Sequence, residues 1–363
     1  MISNKCNELL RFLKKMTLYF KVGMARMTPV LAKQMLKYVF LTKILKREIP
    51  WLIELSVTYE CQAKCPHCSV HNYIASEKEE DKLLTNDEIK QVLDQAVKIG
   101  IPKVDLFGGE PLLKEGIADL VAHGAKLGLY MSVTTNGWSL SRDMIKNLVK
   151  AGISCVNISI DSAEGRIHDR LRGLEGLFEK VTEGIKMCRE EGVACIASTY
   201  VTKKGIVNLG KGKEDNSSLT KIINLTRGLG ATGIRILFPI ISGKWEQSGN
   251  KEFTENEKAF VIDNIDPSFA FIEGAYSVKK GKKVCQSLRG KMFNISPEGN
   301  IQICVAFPDT FGNVRQTPLA ELIHYMWGHP TYLKNKGGNC CNNLGLIREN
   351  DGKKKTDVPQ GVC

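Results

Sequence analysis

The feature that most limits the fold is an alternation of strand-length and helix-length runs between residues 51 and 239. Strands are expected at 51–58, 103–107, 129–134, 155–160, 194–201 and 233–239. Helices are expected between them at 86–99, about 115–126, 141–151, 176–191 and 218–229, with Thr85 placed to cap the first. Alternating strands and helices make a parallel sheet with right-handed crossovers. Six units are too few for a closed eight-fold barrel, so an α/β partial (β/α)6 TIM-like barrel, open at one side, is expected. Chemistry in such sheets sits at the carboxyl ends of the strands. Each unusual motif of the chain falls there.

The first strand runs into Cys61-Gln62-Ala63-Lys64-Cys65-Pro66-His67-Cys68, three thiols within eight residues. Three thiolates can hold an iron–sulfur cluster and leave one iron free. A closed zinc site would want a fourth ligand, and Cys-x3-Cys-x2-Cys is not usual zinc spacing, although His67 and His71 are near. The second strand ends in Gly108-Gly109-Glu110-Pro111. The two glycines allow close backbone approach, Glu110 offers an acceptor for an ammonium group, and Pro111 fixes the turn. The third ends in Thr135-Asn136-Gly137, which by itself also suits an ordinary turn. Past the fourth, Ser159 and Asp161 share one face by alternation, the barrel interior, and need partners there.

Cys61, Cys65 and Cys68, followed in order by these motifs, resemble the radical S-adenosylmethionine (SAM) enzymes over most of residues 50–345. The resemblance implies a 4Fe-4S cluster on the three cysteines whose open iron binds the amino and carboxylate groups of SAM. One electron then cleaves the sulfonium and gives a 5′-deoxyadenosyl radical that takes hydrogen from a substrate carbon. It further implies that Gly108, Gly109 and Glu110 bind the amino group and that Asn136 lies near SAM. Ser159 and Asp161 would meet the ribose hydroxyls and the carboxylate. In His168-Asp169-Arg170-Leu171-Arg172-Gly173, Arg172 aligns with an arginine that forks onto the SAM carboxylate. Ser162 stands where the family often has glycine, a minor departure. Arg235, in the sixth strand, needs a partner the sequence does not name. No catalytic acid or base stands out.

After about residue 245 the composition changes, with a polar linker over 247–257 and a helix over 254–264. Cys285-x13-Gly299-x4-Cys304 resembles the opening of the SPASM and Twitch extensions, whose cysteines hold auxiliary iron–sulfur clusters. Gly299 suits a hairpin turn that brings Cys285 and Cys304 together. Cys340 and Cys341 lie where later ligands would be, with Cys363 as a further thiol. A full SPASM pattern needs more cysteines, including Cys-x2-Cys pairs, so one auxiliary cluster in a truncated, Twitch-like form is implied. A zinc site from the same thiols stays open.

Of twelve cysteines in 363 residues, most are clustered as ligands rather than spread as a disulfide framework, and no secretory signal precedes them. A reducing cytoplasm is the expected compartment. Cys155, Cys188 and Cys195 fall in expected strands or a helix as small core residues. The net charge of +12 is uneven: residues 1–50 hold eleven Lys/Arg and two Glu, which leaves +3 for the rest. That argues against a nucleic-acid groove across the body. The same segment reads as basic amphipathic helices, with Leu9, Leu13, Met16 and Phe20 at helical spacing and Leu31, Met35, Tyr38, Leu41 and Leu45 after the Gly23–Pro29 break. None of it is apolar enough to span a bilayer. Three readings stay open: peripheral contact on the inner membrane face, a helical cap on the barrel, and docking of a partner protein.

The expected layout is therefore a helical extension at 1–49, a radical SAM partial barrel at 50–245, a small α+β auxiliary-cluster domain at 246–345, and a disordered tail at 346–363. The expected activity is radical SAM chemistry in peptide or protein modification, fed by a flavodoxin- or ferredoxin-like electron donor. Alternatives are the same chemistry on a membrane-associated or lipid-linked small molecule, or an iron–sulfur electron-transfer protein.

Overall fold

The structure is a computed structural model, which describes residues 2–68, 82–239, 253–272, 277–279, 282–307 and 309–338. The six expected strands form as β1 Leu52–Ser56, β2 Lys103–Phe107, β3 Tyr130–Thr135, β4 Cys155–Ser159, β5 Ala194–Tyr200 and β6 Gly233–Leu237. Two helices precede them, α1 Ile2–Met24 and α2 Pro29–Val39, the latter continued by a π-turn over Phe40–Ile44. Between the strands run α3 Asn86–Ile99, α4 Ile117–Lys126, α5 Arg142–Ala151, α6 Gly165–Arg172, α7 Leu177–Glu190 and α8 Ser218–Leu229. The start of α3 is fixed by a reciprocal cap: Thr85 Oγ1 accepts from the Glu88 amide, and Glu88 Oε2 accepts from the Thr85 amide at 2.8 Å. Its end is Gly100, at φ +103.

β1 to β6 pair in parallel in chain order, with Leu52 opposite Lys103 and Val104 opposite Met131. Alternation sends Ile53, Leu55, Val104, Leu106, Val133, Val156, Ile158, Ile234 and Ile236 outward under the helices, where all are buried. The opposite face, toward the lumen, is polar. Asp105 Oδ1 accepts from Ser132 Oγ and from Asn157 Nδ2 at 3.2 Å, and Thr134 Oγ1 donates to Asp105 Oδ2 at 2.7 Å. Cys155, Cys188 and Cys195 are buried.

The expected boundary at residue 245 does not bound the sheet. After α9 Glu255–Asp263, a short β7 Ala270–Ile272 pairs parallel to β6. A hairpin, β8 Ser277–Lys279 and β9 Lys282–Val284, is separate. Then β10 Met292–Ile295 pairs parallel to β1, with Leu52 opposite Met292, and β11 Ile301–Gln302 pairs antiparallel to β10. The nine-stranded order is β11-β10-β1-β2-β3-β4-β5-β6-β7, an open sheet with C-terminal strands on both edges. Strands of two to four residues carry too little alternation to be read from sequence. The helices α10 Leu319–Gly328 and α11 Pro330–Asn335 complete the described chain. Of the expected linker, residues 247–252 lie outside the described residues, and Glu255–Glu257 open α9. The expected tail, 346–363, also lies outside them.

α1 and α2 cross the amino ends of the strands. Leu18 is fully buried against Gly233, the first residue of β6, where a Cβ would stand 2.8 Å from Leu18 Cδ1. Leu31 clusters with Tyr130, Cys155, Ala194 and Ile196 at the starts of β3, β4 and β5. Gln34 Nε2 donates to the Ile101 carbonyl, just before β2, at 3.1 Å. Arg11 donates to the carbonyls of Ile262 and Asp263. The inner faces of these helices therefore form the cap that was one of the three readings. No helix among the described residues is long and apolar enough to cross a membrane.

Candidate functional site

The cysteine loop that leaves β1 is held from both sides. Gly109 N donates to Thr58 O at 2.8 Å, and Glu110 N donates to Glu60 O at 2.6 Å. A Cβ on Gly108 would stand 2.3 Å from Thr58 O, and one on Gly109 would stand 2.1 Å from Glu60 O. Gly108 also lies at φ +136. Only glycine lets the two loops lie this close. On the other flank, Lys64 N donates to Arg172 O at 2.8 Å, which ties the loop to the end of α6.

Glu110 is fully buried, and its carboxylate organises the turn after β3. Oε1 accepts from Thr135 Oγ1 at 2.6 Å and from Leu112 N at 3.1 Å, and Oε2 accepts from Asn136 N at 2.7 Å. Burial pushes this carboxyl up to about 7, against the lowering effect of those three donors and of Arg172. Asn136 in turn points its amide nitrogen at Cys61 Sγ, 3.7 Å away, and at Gln62 Oε1, 3.2 Å away. Its Oδ1 accepts from Trp138 N at 2.8 Å, which fixes the amide orientation.

The third corner joins Asp161, Arg172, His67 and His168. Asp161 Oδ2 stands 2.7 Å from Arg172 Nε and 3.3 Å from His67 Nε2. The Arg172–Asp161 contact is an ion pair buried from water. Asp161 Oδ1 accepts from Tyr200 N at 3.1 Å, and the Asp161 amide donates to His168 Nδ1 at 3.1 Å. Burial alone would raise the Asp161 pKa, but Arg172 and His67 outweigh it and hold the carboxylate well below its ordinary range. His168 is also lowered, to about 4, by burial and by Arg172, which leaves its ring neutral. Arg172 ends α6 rather than starting a helix, is buried, and brings Nη1 to 3.7 Å from Cys65 Sγ. His67 also packs on Tyr200, with ring centroids 4.7 Å apart. A cavity of about 900 Å³, counting its open mouth, starts at His67, Asp161 and Tyr200 and runs to Leu219 of α8.

Most of the residues singled out in the sequence thus meet at one end of the sheet: Cys61, Cys65, Gly108, Gly109, Glu110, Asn136, Asp161 and Arg172. Ser159 is half-buried at the end of β4, in register with Ser198. Arg235 Nε donates to Ser198 Oγ at 3.0 Å, which supplies a partner the sequence could not name. Of the residues that the sequence reading did not place in the site, His67 and Tyr200 are brought in by the Asp161 carboxylate and His168 by the Asp161 amide. The lumen layer of Asp105, Ser132, Thr134 and Asn157 was also missed, though polar residues at every second position of buried strands announce it.

The donor set fits an iron–sulfur cluster by its chemistry. Two of the three thiols face N–H donors of the kind that stabilise a thiolate, from Asn136 and Arg172. Burial, then the charges of Glu110 and Cys65, raise the Cys61 thiol above its ordinary value, so ligation there would release a proton. Among the described residues, no three His, Cys, Asp or Glu side chains already stand close enough to share one metal ion. Cys68 is half-buried beside the first undescribed stretch, and His71 lies within that stretch.

In the C-terminal part, the turn expected at Gly299 forms: Gly299, at φ +91, donates its amide to Ser296 O at 2.8 Å. Cys285 is buried and Cys304 half-buried. Cys340, Cys341 and Cys363 lie outside the described residues.

The family model of the radical SAM superfamily matches residues 55–207. An AdoMet-dependent heme synthase of Methanosarcina barkeri is 27% identical over 325 residues, 80% of this chain and 88% of that protein. A PqqA peptide cyclase of Granulibacter bethesdensis is 24% identical over 306 residues, 80% of this chain and 77% of that protein. Among solved structures, Streptococcus suis SuiB bound to S-adenosylmethionine superposes with a TM-score of 0.61 at 17% identity, covering 82% of this chain and 70% of that one. SuiB bound to the precursor peptide SuiA gives 0.60 at 16%, covering 82% and 69%. These two likenesses show a shared fold. The family match spans the cysteine loop and the motifs that enclose it, so this chain is an enzyme that carries a radical SAM domain over residues 55–207.

Proposed function

We propose that this enzyme cleaves SAM reductively and uses the resulting radical to abstract a hydrogen atom from a carbon of a peptide substrate. When bound, the cluster and SAM supply a one-electron cleavage of the sulfonium and a carbon-centred radical able to attack an unreactive C–H bond. Cys61, Cys65 and Cys68 would hold the cluster. Gly108, Gly109 and Glu110 place the backbone beside that loop, Asn136 and Arg172 donate toward its sulfurs, and Ser159 and Asp161 line the same end of the sheet for the nucleoside. The buried walls keep water from a radical that would react with it indiscriminately. The observation that carries the reading is the cysteine loop, fixed against Gly109 and Glu110 with Asn136 and Arg172 facing two of its thiols.

The peptide substrate is supported by relatives named as PqqA peptide cyclases and by SuiB, whose fold holds a precursor peptide. A small-molecule substrate is the second reading, favoured by the AdoMet-dependent heme synthase, which this chain matches over most of its length. Cys285 and Cys304, with thiols from residues 340–363, would carry one auxiliary cluster that takes an electron from the substrate radical. A flavodoxin- or ferredoxin-like protein would deliver the first electron.

The test is anaerobic reconstitution with iron and sulfide, reduction, and measurement of 5′-deoxyadenosine. The wild type should form it, and Cys65→Ala should not; turnover in that variant would end the proposal. Cys304→Ala should keep SAM cleavage but lose iron and product. Deuterium carried into deoxyadenosine from a labelled peptide, and not from labelled small molecules, would decide between the two substrate readings.

A further inference from the structure

The inner faces of α1 and α2 are used up by the barrel, but their outer faces are not polar. Taking 100° per residue, Arg11, Leu18 and Val22 define the barrel side of α1. Leu9, Leu13, Met16 and Phe20 lie opposite, and they are 58%, 51%, 45% and 66% exposed. The apolar stripe of this amphipathic helix therefore points away from the protein, the reverse of a helix packed for its own stability. α2 repeats the arrangement. Leu31 and Gln34 face the barrel, while Leu36, Phe40 and Ile44 face out at 69%, 51% and 66%.

The charges beside these stripes have one sign. Exposed Lys14 and Lys21 flank the α1 stripe on one side and exposed Lys15 on the other, and Glu8 is the one acidic residue of Ile2–Met24. Over residues 29–44 the charged residues are Lys33, Lys37 and Lys43: Lys33 and Lys43 are exposed on the outward side, while Lys37 Nζ turns back to donate to Val97 O at 2.8 Å. An outward apolar stripe bordered by lysines is the layout of a helix that lies in a bilayer interface, its apolar side chains among the acyl chains and its ammonium groups at the phosphates. A second copy of this chain is a poorer occupant, because stacking the two faces would bring lysine onto lysine.

We propose that the outer faces of α1 and α2 dock the enzyme on an anionic phospholipid surface. Because both helices lie across the amino ends of the strands, docking turns the carboxyl ends, with Cys61, Glu110 and Arg172, away from the bilayer. The site then opens toward water and a water-borne substrate. This goes beyond the proposed reaction and does not depend on it, since binding is read without SAM chemistry.

The experiment uses the full chain, cosedimented with vesicles of phosphatidylcholine alone and with vesicles containing about one third phosphatidylglycerol. Wild type should partition at least about tenfold more onto the anionic vesicles, and about 0.5 M salt should weaken it. Phe20→Glu/Phe40→Glu should lower that partition at least about tenfold, with circular dichroism, iron content and solution deoxyadenosine yield unchanged. These side chains are exposed, so the double variant keeps its fold. Equal partition of the variant and the wild type, or no vesicle binding by the wild type, would overturn the proposal. So would a two-chain mass in sedimentation that falls to one chain in the variant, which would assign the face to a second copy.

Discussion

Gly109→Ala tests the idea that the cysteine loop is positioned by close backbone contact. The new Cβ would stand 2.1 Å from Glu60 O and 2.4 Å from Tyr59 O, where ordinary contact begins near 3.4 Å. Both obstacles are backbone carbonyls, which cannot swing aside as a side chain end would. The loops must part by about an ångström, which takes the 2.8 Å and 2.6 Å bonds to Thr58 O and Glu60 O out of hydrogen-bond range. Two lost bonds at about 1 kcal/mol each, with about 1–3 kcal/mol of overpacking, give roughly 3–5 kcal/mol. An ångström of misplacement at the cysteines should also cost about a hundredfold in deoxyadenosine formation. Gly228→Ala is the control, since its Cβ would meet nothing within 4 Å in α8. That change should raise stability by about 0.5–1 kcal/mol through helix propensity and leave the reaction alone. Thermal unfolding of the reconstituted protein, iron content and deoxyadenosine yield read all three effects. Gly109→Ala protein with wild-type Tm, iron and rate would refute the close-contact argument.

Glu110, raised to about 7 by burial, binds more protons folded than unfolded between its unfolded pKa and that value. Stability should therefore fall as pH rises through the window from about 4.3 to 7, by about 4 kcal/mol from this group alone, and Glu110→Gln should flatten that slope in urea titrations across pH. The reverse sign holds for Asp161: its contribution is present above the ordinary aspartate range and is lost as pH falls below it. Arg172→Met leaves the Asp161 carboxylate buried without its cation and should cost about 3–5 kcal/mol. Adding Asp161→Asn should recover part of that loss in thermal unfolding; an unchanged Tm in the single variant would show that the pair does not hold the corner together.

How far the sequence reached is clearest at particular residues. Thr85 marked the start of α3, because an N-terminal cap is set by residues within one turn. β2 was legible to its observed limits because a charged or turn-forming residue stands at each end of it. The cysteine spacing and the Gly108-Gly109-Glu110-Pro111 turn announced the site, because both depend on local geometry. β7, β10 and β11 were not legible: at two to four residues they have no periodicity, and long-range pairing with β6 and β1 is what makes them strands. Arg172 gave no sign of being buried at the end of a helix, because its partners Asp161 and Cys65 lie eleven and 107 residues away.

The amino-terminal helices divide the two kinds of information. Their spacing and lysines, as sequence, determined that they are amphipathic and basic, since a 3.6-residue period is a property of the helix alone. Which face meets the barrel was decided by tertiary structure. Leu18 and Leu31 fit the gap at the amino ends of the strands, and Phe20 and Phe40 are left outside because the same rotation cannot bury both sides of a helix. In the same way, the chain order of the motifs foretold one site, and only the folded sheet decided that Glu110 spends its carboxylate on Thr135 and Asn136 and that His67 and Tyr200 join Asp161.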